Sequence, residues 1–146
     1  MGFLKGYTRQ EKSWMMYDWA NSAYSVIVVT ILPIFYETIS ANSVGAIGRW
    51  GAGTSIAMLL TALMAPVVGA FGDFKGYRKK LFCVFLAIGV LSCAAMAATP
   101  FMDVTSAAAA EKVGLWILGL YMVSSVGFAG ANLYYDSFLT DVTTDD

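Results

Sequence analysis

GAFGDFKGYRKK, from Gly69 to Lys80, packs three glycines, one acid and four bases into a short bend. On either side the charge disappears. Twenty-three uncharged residues separate Arg49 from Asp73, and 22 separate Lys80 from Asp103. Two more runs complete the pattern, 18 residues between Asp18 and Glu37 and 23 between Lys112 and Asp136. A helix crossing the ~30 Å hydrocarbon layer needs roughly 20 such residues. Four spans in succession therefore predict an all-α, polytopic membrane protein whose first partner is the lipid bilayer.

Composition agrees. Charged residues are 13% of the chain, against about 25% in an ordinary soluble domain, and mean hydropathy is +0.65. A soluble four-helix bundle would need polar faces at helical spacing, and the run Met58-Leu59-Leu60-Thr61-Ala62-Leu63-Met64 offers none. A cleavable leader is the other alternative for the first span. Its 18 uncharged residues exceed the usual core of about 7–15, so the span reads as retained. A net charge of −1 gives no pull toward nucleic acid. With no histidine, no CxxC and no HExxH, neither a metal site nor a cofactor is expected. Cys83 and Cys93 fall in one span about 15 Å apart along the axis, too far for a disulfide. Nothing places a nucleophile beside a base, so enzyme function is not expected.

Basic residues set the orientation. Lys5, Arg9, Lys12, Lys75, Arg78, Lys79 and Lys80 lie on one side, and only Arg49 and Lys112 on the other. Seven against two predicts cytoplasmic termini by the positive-inside rule. The expected organisation is a tail over 1–13 and a bundle over 14–146, with spans near 14–36, 50–72, 81–99 and 113–135. Gly114, Gly119, Gly127 and Gly130 in the fourth span suit close helix approach.

The bend itself is awkwardly charged. Asp73 lies at the negative, C-terminal end of the second helix, and Lys79 and Lys80 at the positive start of the third. Asp73 therefore needs a partner elsewhere, either Arg78 or the N-terminus of another helix. Gly76 can take the positive φ of a tight reversal. The spacing G-x-x-x-D-x-x-G-x-[RK]-[RK], met by Gly69, Asp73, Gly76, Arg78 and Lys79, resembles the loop between helices 2 and 3 of the major facilitator superfamily. Phe74 departs from the base usual there.

Tyr17-Asp18-Trp19-Ala20-Asn21-Ser22-Ala23-Tyr24 and Asn132-Leu133-Tyr134-Tyr135-Asp136-Ser137-Phe138-Leu139 are similar to the vacuole-effluxer-like branch, whose eukaryotic members export amino acids. The resemblance implies helices 1–4 of a twelve-helix carrier. It implies secondary transport of a small solute, with Asp73 as a conformational latch and Gly69 as its packing site. Four spans are two-thirds of one six-helix half, so the expected partners include helices 5–12 of a longer protein, in the cell membrane if the source is a prokaryote.

Asp18, Asn21, Ser22 and Ser25 share one face of the first helix, and Asn132 and Asp136 one face of the fourth. Polar groups at membrane depth should face the bundle or a watery path. The reading is a polar cluster at the cytoplasmic mouth, with Tyr24 and Ser25 nearer the midplane. For Asp18 and Asp136 an interfacial anchor is an equal alternative. A complete four-span multidrug exporter is the runner-up, although its deep first-span glutamate is missing. A four-span scaffold is the third reading.

Overall fold

The computed structural model describes residues 6–40, 45–72, 74 and 76–139. Among them every regular element is helical. Helix α1 is Arg9–Ile39, α2 is Ala46–Gly72, α3 is Arg78–Ala97 with a 3-10 turn at Thr99–Phe101, and α4 is Ala107–Ser137. All four are long and apolar enough to cross a membrane. Each uncharged run lies within one helix, apart from the turn that ends α3.

Local chemistry explains the helix ends. Thr8 caps α1 in a reciprocal box. Its hydroxyl accepts from Glu11 N–H at 3.2 Å, and its own N–H donates to Glu11 Oε2 at 2.5 Å. Ser106 caps α4 by accepting from Ala109 N–H. Pro100 cannot extend α3, which closes in the 3-10 turn. Beyond it, the Thr105 N–H donates to Asp103 Oδ1 at 2.9 Å and holds that carboxyl below its ordinary range. The turn's contribution is therefore present above the usual aspartate pKa and lost as pH falls through the lowered one.

Helix α1 is not uniform. Residues Ile27–Ile31 form a π turn, and the Leu32 N–H bonds back to Ile27 O. Pro33 follows, with no N–H for Val29 O. The wider turn absorbs the missing bond and the proline ring.

Successive helices run antiparallel. The start of α1, the α2–α3 bend and the end of α4 share one end of the bundle, the bend end. Three contacts tie it together: Trp14 on Tyr135, Tyr134 beside Gly72, and Arg78 with Ser137. Helix α4 is the hub, with twelve buried residues against none over Arg9–Val26 of α1. The apolar core lies toward the opposite, distal end, where Leu32, Tyr36, Ala57, Met96, Val113, Ile117 and Tyr121 meet.

Glycines bring α3 against α4. A Cβ on Gly127 would lie 2.6 Å from Gly89 N and 2.9 Å from Phe85 O, so the backbones touch. Gly130 receives the Phe85 ring, and Gly114 receives Ser40. Gly119 meets nothing within 4 Å among the described residues. Outward, Ile56, Met58, Leu59, Leu63, Val84 and Leu91 are exposed, an apolar surface suited to lipid. Hydroxyls on these helices bond to their own backbone four residues back, as Thr54 does to Trp50 O and Ser92 to Ile88 O. Such bonds remove the cost of a bare hydroxyl in hydrocarbon.

Candidate functional site

The bend is the first candidate. Gly76 has φ +87°, the left-handed backbone that glycine alone takes without strain. Asp73 lies outside the described residues. Among the described residues Gly69 meets only Leu133 Cδ2, at an ordinary 3.9 Å. Arg78 donates to Ser137 O at 3.3 Å and sets a cation against the negative end of α4, a favourable place for one. Lys79 is exposed.

The second candidate is the pair of polar faces on α1 and α4. Asp18, Ser25 and Asp136 are exposed, while Asn21, Tyr24 and Asn132 are half-buried. Tyr135 is the structural link at the bend end. Its ring stacks on Trp14 at 4.7 Å and 11°, and lies 4.5 Å from Tyr17. Its hydroxyl donates to Trp14 O at 3.0 Å. The charges of Asp18 and Asp136 both bear on the Tyr135 phenol. Asn132 Oδ1 is buried with no donor among the described residues.

Tyr24 and Ser25 part company. Ser25 is exposed and donates to Asn21 O. Tyr24 points inward: its hydroxyl lies 2.5 Å from Ser124 Oγ and its ring stacks on Phe128 at 4.3 Å. Cys93 of α3 lines a cleft together with Tyr24.

Around this node lies a cleft of about 650 Å³ between α1, α3 and α4. Tyr17, Ala20, Tyr24, Ile27, Phe85 and Phe128 are among its almost wholly apolar walls. Asn21 reaches its edge, but Asp18, Ser25, Ser125, Asn132 and Asp136 do not line it. A smaller cavity on the α2 side of α4 is lined by Thr61, Tyr121 and Ser125. Of the predicted path positions on α1 and α4, the apolar cleft thus takes in Asn21 and Tyr24 alone. Residue reading missed Ser124, Ser125 and Cys93. The adjacent serines at mid-helix were a usable signal, since polar pairs at membrane depth need partners. Among the described residues no group of three or more His, Cys, Asp or Glu could hold a metal ion.

Residues 52–146 match the family described as Vacuole effluxer Atg22 like. The Uncharacterized MFS-type transporter YxiO of Bacillus subtilis (strain 168) is 39% identical over 145 residues, covering 96% of this chain and 32% of the relative. The Uncharacterized MFS-type transporter YuxJ of the same organism is 36% identical over 70 residues, covering 47% of this chain and 18% of the relative. The chain spans about a third or less of the length of these curated relatives. No solved structure matches it.

Proposed function

Because this chain belongs to the vacuole effluxer Atg22-like family, within the major facilitator superfamily, we propose that it builds helices 1–4 of a secondary carrier that exports small solutes, amino acids among them. The observation that carries the reading is the polar face shared by α1 and α4. On helices otherwise clad for lipid, the charges of Asp18 and Asp136 both bear on Tyr135, and the buried Asn132 Oδ1 has no donor among the described residues. Groups so costly in hydrocarbon are kept where water or solute passes. Carriers of this design bind near the midplane and rock two halves about the site.

In this proposal the bend end is cytoplasmic. Asp18, Asn21, Ser25, Asn132 and Asp136 then line the inner mouth. Carboxylates and an amide carbonyl offer acceptors to a solute ammonium, and helix ends offer dipoles to its carboxylate. Asp73, with Gly69 as its packing site, is the latch that holds the outward-open state against a helix of the other half.

Amino-acid counterflow in liposomes, with the carrier reconstituted at its full length, tests the cargo. Asp18→Asn together with Asp136→Asn should lower exchange about tenfold or more while leaving insertion unchanged. Full exchange in the double variant would remove the mouth cluster from the transport path. No exchange of any amino acid by the wild-type carrier would overturn the cargo.

A further inference from the structure

Helix α1 is anchored unequally along its length. Beyond the π turn Leu32, Tyr36 and Ser40 are buried, and Tyr36 is only 2% exposed against Trp50, with ring centroids 5.2 Å apart. Before the turn, Arg9–Val26 contains no buried residue. That stretch is held by ring faces, Trp14 and Tyr17 on Tyr135 and Tyr24 on Phe128. Two hydrogen bonds add to them, Tyr135 to Trp14 O and Tyr24 with Ser124. Ring faces can slide with little loss, because dispersion is not directional.

The junction is the weakest backbone in the helix. Over Ile27–Ile31 the ladder is π rather than α, and Pro33 then withholds an N–H. Mid-helix departures of this kind are where helices bend. Beside the loosely held arm lies the 650 Å³ cleft, which offers room toward α3.

We propose that α1 is two arms hinged at Ile27–Pro33, with the bend-end arm swinging against α3 and α4 while the distal arm stays fixed in the core. Tyr24 is the catch. Its phenol bonds Ser124 in the position seen here. The bond breaks when the arm swings away, so it weights the position seen here by one ordinary hydrogen bond. The hinge is a property of this helix, separate from the cargo, and is read without a transport assay.

Spin-label distances in the protein reconstituted in liposomes test it. Met16→Cys paired with native Cys83, in a Cys93→Ser background, reports the bend-end arm. Ile34→Cys paired with Trp116→Cys, with both native cysteines replaced by serine, reports the distal arm. All four positions are exposed. The bend-end pair should show two populations, with a ratio that moves roughly two- to tenfold in Tyr24→Phe, the effect of one ordinary hydrogen bond. Tyr24→Phe keeps the ring on Phe128 and removes only the catch. Pro33→Ala, which restores the α ladder, should merge the two populations. The distal pair should stay in one population throughout. A single bend-end population in both the wild type and Tyr24→Phe overturns the hinge, as does a distal pair that spreads along with it.

Discussion

Gly127 and Gly119 sit on the same helix with opposite duties. Gly127 lies against the Gly89 backbone, which cannot step aside, whereas Gly119 faces open space. Gly127→Ala should cost about 1–3 kcal/mol, the usual penalty of overpacking, and Gly119→Ala should be neutral or slightly stabilising through helix propensity. Melting of the purified protein in detergent checks both, and equal effects would contradict the α3–α4 contact. Tyr134 makes a sharper point about one atom. Its buried hydroxyl donates to Val68 O at 2.6 Å, so Tyr134→Phe should lose about 1 kcal/mol in the same melt. At this scale Asp18, Asn21, Asn132 and Asp136 were legible as polar positions because charge and amide groups stand out in apolar runs. Ser124 was not: a serine at membrane depth commonly bonds its own helix, as Ser92 does, and only the fold brings Tyr24 to it.

The four helices follow from their apolar runs, and their starts from capping chemistry. Thr8→Ala breaks the box that opens α1. Amide exchange in the first turn should then quicken about fivefold, the usual worth of an N-cap. An unchanged rate there would show the turn held by other means. The π turn had no comparable sequence signal. Pro33 hints at a break, but a proline in a membrane helix can be met by a kink, a 3-10 turn or a π turn. Neighbours decide which, and here Tyr36 and Ser40 dock on α4 and α2 while Val26 stays exposed. Helix α4 was equally unmarked as the hub, since its apolar content resembles that of α2. Its glycines at Gly114, Gly127 and Gly130 give it the close contacts.

For the whole molecule, orientation and the latch are the open predictions. A reporter enzyme that works only outside the cytoplasm, fused after Gly45, should be active, and the same fusion after Gly76 inactive. The reverse pattern would invert the proposed topology. Asp73→Asn in the complete carrier should shift the population toward inward-open, read as faster labelling of single cysteines on the cytoplasmic side and slower labelling outside. Unchanged labelling on both faces would remove Asp73 as a latch. The number of spans and the membrane class were settled by sequence alone, because hydrocarbon thickness and the cost of charge leave one arrangement for four uncharged runs. The reversal at Gly76 was legible too, because the positive φ it takes is a backbone need local to the bend. Which faces meet was decided only by the tertiary structure. A helix apolar all round carries no record of its neighbours, so it took packing to turn Tyr24 from Ser25, to join Tyr135 to Trp14, and to open an apolar cleft between α1, α3 and α4.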